Sequence, residues 1–242
     1  MSIDRVRVAN PKVWPMFTEA AARTQLTSCA TAAALSRGNV TYYDSSAFGE
    51  TLRIPCTDDT RRTFKDAEVL LHRLMNKKPH PHDSVIEHGS ISFLFRCSRI
   101  ATHEIVRHRL CTFTQQSTRY CEERGTVTFI NPPDNAGFYA TLNEAEYDIS
   151  SVTMREKGWI LPATESVLAY EKLRESGVKR EAARYLLPHC LAAWIQITAN
   201  FRQWRHMIRL RASPPAAPEM QCLFTDVKRW LSDVSPVLVE GL

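Results

Sequence analysis

Arg107-His108-Arg109-Leu110-Cys111-Thr112-Phe113-Thr114-Gln115-Gln116-Ser117-Thr118-Arg119-Tyr120 is the stretch from which the rest of the chain is read. Two permanent cations flank a switchable one, and seven residues later Ser117 and Thr118 precede Arg119 and Tyr120. Such a stretch makes a poor core and a good grip on anionic, planar ligands, because a guanidinium is a rigid fork of donors that also stacks on flat rings. A nucleotide offers both features. Ile100, Ile105, Val106 and Leu110 recur at roughly helical spacing with no Gly or Pro between them, which predicts a helix over 98–110. On such a helix Arg107 and Arg109 lie about 200° apart and cannot face one ligand. Either the helix frays, so that Arg109 and the residues after it wrap a ligand as a loop, or its two sides serve different ligands. A plainer reading also stands, in which a solvated basic helix end meets its own dipole.

Three further blocks flank this one. His82-Asp83-Ser84-Val85-Ile86-Glu87-His88 ends 18 residues before Arg107. Downstream come Arg180-Glu181-Ala182-Ala183-Arg184-Tyr185-Leu186-Leu187-Pro188 and then Asn200-Phe201-Arg202, followed by His206 and Leu210-Arg211. Arg202 and His206 are four apart and share a helical face. Arg-His-Arg, seven residues and Ser, carried here by Arg107, His108, Arg109 and Ser117, resembles the signature of the flavin-dependent thymidylate synthases. The upstream block is similar to that family's His-Glu-Thr-Pro-Phe-Glu-His, the third to its Arg-Glu-x-Ala-Arg-x-x-Leu-Pro, and the last to its Asn-x-Arg helix ending in Leu-Arg. Together the four blocks run over roughly residues 80–222.

Composition is compatible with this. At 242 residues and 44% hydrophobic content the chain can bury a sizeable core, and a single domain over 1–242 is the simplest count. Its apolar runs are short of a membrane span, and the first residues precede no apolar segment of secretory type, so we expect a cytoplasmic protein. Seven cysteines, odd in number and without a C-x-x-C pair, read neither as a disulfide framework nor as a zinc ribbon. His103 and His108 are five apart, about 140° around a helix, whereas a zinc-protease helix needs four. His80, His82 and His88 read as surface or capping residues, and no metal is expected. A net charge of +5 suits an enzyme for anionic metabolites and a basic nucleic-acid binder alike.

Along the chain, residues 12–36 predict a helix, 37–60 an irregular region, and 60–77 an amphipathic helix with Phe64, Ala67, Leu70, Leu71 and Leu74 on one side. The prolines from Pro79 end it. Ser90 to Phe95 alternates as a strand, and Thr126 to Ile130 is a second one, closed by Asn131-Pro132-Pro133-Asp134. Residues 134–152 carry no functional signal. A helix over 159–176 ends at Gly177, a shorter one runs from Lys179 to before Pro188, and Cys190 to Thr198 reads as a buried strand. A helix from Ala199 to Arg211 follows; Pro214, Pro215 and Pro218 then break the chain before a last helix to Ser232. This is α/β content. The resemblance implies an α+β fold with a curved, mainly antiparallel sheet flanked by helices, in a homotetramer with its sites at subunit interfaces.

The resemblance also implies ligands. FAD would be held by Arg107, His108, Arg109 and Gln115, by Ser84 and Glu87, and by Asn200, Arg202 and His206. A uridine monophosphate would be held by Glu104, Arg107, Gln115, Ser117, Thr118, Arg119, Arg184 and Arg211. The reaction implied is reductive methylation at C5 of the uracil, with 5,10-methylenetetrahydrofolate and NADPH as co-substrates and no covalent enzyme nucleophile, so Cys111 has no part. Arg211 would stabilise charge on the pyrimidine; Tyr120 and His82 are candidates for the folate side. The chain departs from the family's pattern in having Gln115 where Glu is common, Glu104 where Gln is common, and Pro215 and Ala217 in place of a His and a Gln, while Glu219 is kept. A carboxylate at Glu104 repels phosphate unless a cation such as Arg107 pairs with it, or else it accepts a sugar hydroxyl. The latter extends the expected substrates from dUMP to UMP, and the setting from DNA precursors to nucleoside-antibiotic biosynthesis. An ordinary dUMP-only thymidylate synthase and a basic nucleic-acid-binding protein are the competing readings. The enzyme readings need no nucleic acid and no membrane.

Overall fold

The computed structural model describes residues 6–35, 41–45, 52–56, 64–79, 81–123, 127–131, 146–148 and 154–242. Expectations for Thr126, for Pro132 to Asp134, for His80 and for most of 134–152 lie outside them. The strands are β1 (Val6–Ala9), β2 (Lys12–Pro15), β3 (Thr41–Ser45), β4 (Leu52–Cys56), β5 (Ser90–Ser98), β6 (Thr112–Gln115), β7 (Val127–Ile130), β8 (Glu146–Asp148) and β9 (Ala192–Asn200). The helices are α1 (Glu19–Leu35), α2 (Phe64–Met75), α3 (Arg99–Ile105), α4 (Met154–Glu175), α5 (Arg180–Ala183), α6 (Phe201–Arg211) and α7 (Pro218–Val234). Short 3-10 turns cover Asp83–Glu87, Arg184–Leu186 and Pro236–Leu238. The mixed α/β class agrees with the expectation. Strand β1 pairs antiparallel with β8 and parallel with β7, β3 pairs antiparallel with β4, and β2, β5, β9 and β6 form a four-stranded sheet in that order. None of the described helices is long and apolar enough to cross a membrane.

The chain forms two compact units, each assembled from three separate segments: Met1–Trp14, Phe93–Ile197 and Leu210–Val227 in one, Pro15–Ser92, Thr198–Arg209 and Lys228–Leu242 in the other. In the first, Val6 and Val8 of β1, Val127 and Phe129 of β7 and Ile160, Ala163 and Val167 of α4 make one apolar cluster. Arg96 is buried in this unit, with its guanidinium 5.8 Å from the Trp14 ring and 6.0 Å from Trp194, so aromatic faces replace part of its lost hydration. In the second unit Leu26, Leu71, Trp204 and Leu231 are fully buried. There the Trp204 indole N–H donates to the Ile91 carbonyl at 3.2 Å.

Several sequence expectations need correcting. Residues Lys12–Pro15 are strand, not helix, and α1 begins only at Glu19, where the Thr18 hydroxyl accepts the Ala21 N–H. The region 37–60 contains the antiparallel pair β3 and β4, hidden in the sequence by its Gly, Ser and Asp content although Thr41, Tyr42 and Tyr43 favour strand. Strand β5 is buried on both faces rather than alternating. Helix α4 starts at Met154, earlier than the 159 expected, and ends as expected at Gly177, whose φ of 87° suits only glycine well. Pro218 opens α7 instead of only breaking the chain, the position at which its missing N–H costs nothing.

The helix expected over 98–110 is the short α3. Ser98 is its N-cap, with the hydroxyl accepting the Ala101 N–H at 3.1 Å. After Ile105 the bonds tighten: Arg107 N–H donates to Glu104 O and His108 N–H to Ile105 O, a three-residue closure that unwinds the helix. Thus the fraying alternative is the observed one, except that Thr112–Gln115 is strand β6 rather than loop. At the other end of α3, half-buried Glu219 of α7 accepts both the Ser98 N–H at 2.7 Å and the Ser98 hydroxyl at 2.6 Å. Helix α3 is therefore fixed by a carboxylate 121 residues away in sequence.

Burial raises the Glu219 carboxyl above its ordinary 4.5, outweighing the two Ser98 hydrogen bonds that lower it. A carboxyl raised in the fold holds its proton more tightly there than in the unfolded chain. Its contribution to stability is therefore complete below 4.5 and is lost as pH rises through the folded value. Glu219→Gln keeps an acceptor for the Ser98 N–H and a donor for its oxygen, so its melting temperature should gain on the parent's as pH is raised. Glu219→Ala orphans both Ser98 donors and should cost about 2–4 kcal/mol in a denaturant titration.

Gly89 is the second point of close approach. A Cβ there would lie 2.6 Å from Phe201 Cε2, 2.9 Å from Cys29 Sγ and 2.9 Å from the Gln25 carbonyl oxygen. The Phe201 N–H donates to Gly89 O at 3.0 Å, so the backbone itself occupies the space. Gly89→Ala should lower stability by about 1–3 kcal/mol, measured by thermal or denaturant unfolding.

Candidate functional site

Helix α3 delivers Glu104 and the turn after it delivers Arg107, His108 and Arg109, all in the first unit with Arg211. The Arg211 guanidinium is held at three points. Its Nε–H donates to His108 Nε2 at 3.0 Å, Nη1 to Glu104 Oε2 at 3.0 Å, and Nη2 to the Glu104 carbonyl oxygen at 3.4 Å. A guanidinium can only donate, so His108 Nε2 must accept, and the imidazole in this arrangement is neutral. The expected partner of Glu104 was Arg107, its neighbour along the chain. Arg211 takes that place, because α3 ends at Ile105 and Arg107 leaves on an exposed turn. Arg211 is 22% exposed and Glu104 40%, so the pair is sheltered without being sealed from a ligand.

The stretch after β6 is a turn closed on itself. Ser117 O accepts from Tyr120 N and Cys121 N, and Ser117 Oγ accepts the Arg119 N–H at 3.2 Å, an arrangement that leaves the hydroxyl hydrogen to donate. Thr118 is buried at 4% exposure. Gln115 Nε2 donates to Thr102 Oγ1 at 3.1 Å, which ties β6 to α3 and leaves the amide oxygen as an acceptor. Cations from the end of α4 and from α5 brace this turn: Arg174 Nε donates to Glu122 at 2.9 Å, Arg180 Nη1 to the Tyr120 carbonyl at 2.6 Å, and Arg119 faces Glu181 at 3.8 Å. Arg184 follows α5 directly; the Glu181 carboxyl lies below its ordinary value chiefly because its own backbone N–H donates to it, with Arg119, Lys179 and Arg184 adding in that order.

All eight expected nucleotide residues belong to the first unit. Glu104 and Arg211 make direct contact, Gln115 reaches α3 through Thr102, and Ser117, Thr118 and Arg119 share one turn. Arg107 and Arg184 make no side-chain bond to the others among the described residues. The expected flavin residues divide. Arg107, His108, Arg109 and Gln115 are in the first unit, while Ser84, Glu87, Asn200, Arg202 and His206 are in the second. There Arg202 pairs with Glu87, and Asn200 Oδ1 accepts the Gln203 N–H at 2.8 Å, which makes Asn200 the cap of α6. Arg202 and His206 lie on the exposed face of α6, opposite buried Trp204, Met207 and Ile208. Within the first unit Arg107 and Arg109 are exposed cations of the kind that grips an anionic group, and within the second Arg202 and His206 are exposed on one helical face.

Sequence reasoning missed Ser98, Thr102, Arg174 and the bracing part of Arg180. Only Arg180 lay in a quoted block; the others act across long sequence separations. Burial pushes the Cys29 thiol up to about 11 and the Cys190 thiol up to about 12, so neither offers a thiolate at neutral pH.

Comparison with known proteins places this geometry. The sequence profile of Thy1, thymidylate synthase complementing protein, matches residues 20–237. A flavin-dependent thymidylate synthase of Thermococcus onnurineus (strain NA1) is 32% identical over 158 residues, 65% of this chain and 59% of that protein. One from Mycobacterium tuberculosis (strain ATCC 25618 / H37Rv) is 36% identical over 163 residues, 65% of this chain and 63% of the relative. The matched stretch thus spans less than two thirds of the length of either relative. The crystal structure of a UMP/dUMP methylase, PolB from Streptomyces cacaoi bound with 5-Br dUMP, aligns with a TM-score of 0.66 at 20% identity over 96% of this chain and 95% of that one, which shows a shared fold. With a profile match that runs from α1 to the last turn, the chain belongs to the thymidylate synthase complementing protein family.

Proposed function

We propose that the protein is a flavin-dependent enzyme that methylates C5 of the uracil ring of a uridine monophosphate, dUMP, UMP or both. The observation that carries this reading is the three-point hold on Arg211 beside the Arg107 to Arg109 turn. Uracil C5 is a weak nucleophile in the neutral ring and gains reactivity as negative charge spreads over N3, the carbonyl oxygens and C5. A guanidinium whose Nε–H is already oriented by His108 when the substrate arrives stabilises that charge with little reorganisation. Arg107, Arg119 and Arg184 supply charge-assisted contacts to the single phosphate, and the Ser117 hydroxyl donates a further one. Thr118, being buried, contributes through its place in the turn. FAD, when bound, supplies the redox chemistry that links NADPH and 5,10-methylenetetrahydrofolate to the new methyl group.

The protein's own share is alignment and charge stabilisation, with no covalent thiol. Exposed Leu110, Tyr120 and Tyr185, at 78%, 77% and 85%, favour assembly, and a homotetramer with ligand sites at its interfaces is the arrangement we adopt. Cys29, Cys97, Cys111, Cys121, Cys190 and Cys222 are free thiols, which suits a cytoplasmic protein.

Purified protein should be yellow, with a flavin spectrum, and should turn over dUMP or UMP when given NADPH and 5,10-methylenetetrahydrofolate. A colourless protein whose affinity for RNA or DNA falls steeply with salt would replace this reading with the nucleic-acid one. Turnover of dUMP with none of UMP would restrict it to an ordinary thymidylate synthase. Arg211→Ala should lower kcat by about a hundred- to a thousandfold while the flavin spectrum persists.

A further inference from the structure

We infer that Glu104 is an internal counter-anion, which holds Arg211 in the ligand-free protein and surrenders it when the nucleotide binds. The inference rests on the proposed function and assigns Glu104 a role as a positioning residue rather than as a contact to the sugar.

The geometry points this way. Glu104 Oε2 and the Glu104 carbonyl oxygen together take both terminal nitrogens of Arg211, at 3.0 and 3.4 Å, while His108 takes Nε. The carboxylate therefore occupies the Nη1 corner of the fork that a planar, hydrogen-bonding ring or an anion would use, while the longer contact to the backbone carbonyl takes Nη2. The grip of His108 is separate and neutral, so releasing the carboxylate leaves the guanidinium oriented by its Nε–H. Exposure makes exchange feasible: Glu104 at 40% and Arg211 at 22% both reach water, so neither is stranded as an isolated buried charge when the pair opens. Glu104 also stays anchored when released, because its backbone carbonyl accepts the N–H of Arg107 at 3.3 Å within the fixed end of α3. A neutral amide at the same position would keep the shape and remove the charge that competes with the ligand.

The test is binding of dUMP and of UMP to the full-length flavin-loaded protein, by calorimetry, for the parent, Glu104→Gln and Glu104→Ala. Exchange predicts that both variants bind both nucleotides more tightly, by the same factor of about three- to fivefold, the worth of a partly exposed ion pair. In turnover, the KM for each nucleotide should fall by the same factor, since the free protein alone has lost an interaction. Melting curves alongside confirm that each variant is folded. Unchanged or weaker binding of both nucleotides by a folded Glu104→Gln protein overturns the inference, as does selective loss of UMP binding, which would make Glu104 an acceptor for the ribose 2′-hydroxyl. Parent protein that binds no uridine monophosphate sinks the functional reading and the exchange together, whereas parent binding with an indifferent variant sinks the exchange alone.

Discussion

Two hydrogen bonds from Ser98 to one half-buried carboxylate fix helix α3, and the candidate site hangs from that helix. Glu219 takes the backbone N–H and the hydroxyl of the residue that caps α3, and the same hydroxyl accepts from Ala101. Seven residues later the helix ends and releases the Arg107 to Arg109 turn. An error of position at Ser98 would be carried along a rigid rod to Glu104 and to the guanidinium it holds. Keeping a charge-capable group in so apolar a place is costly, and the tight geometry at both carboxylate oxygens is what makes it tolerable.

Helix α6 was legible because its pattern is local. Buried Trp204, Met207 and Ile208 alternate with exposed Arg202 and His206 at helical spacing, and its cap, Asn200, precedes it directly. The close of α4 at Gly177 was legible for the same reason, since a left-handed residue there needs glycine. By contrast, β2 was read as helix because four residues carry too little periodicity to outweigh the Ala-rich segment that follows. What makes Lys12–Pro15 a strand is distant: Trp14 lies 5.2 Å from Trp194.

The site was legible as residue types and not as contacts. The cations expected to hold the nucleotide all lie in the first unit, but the signature turn and its neighbours could not say which of them faces Glu104. Proximity in sequence favoured Arg107. The early end of α3 turned that side chain outward and brought in Arg211, 107 residues away. The braces from Arg174 and Arg180 to the turn after Ser117 were out of reach for the same reason, being 52 and 60 residues from their partners in sequence.

Neither compact unit is a continuous run of chain. Each takes an early, a middle and a late segment, and the late ones, Leu210–Val227 and Lys228–Leu242, adjoin. During synthesis, then, neither unit can be completed until the C-terminal helix has emerged, and both become complete almost together. Such long-range closure slows folding and leaves incomplete apolar surface in need of protection until the last residues are made. A product that stops before Leu210 would lack part of both units and should be degraded as a whole, whereas loss of Lys228–Leu242 alone removes part of the second unit.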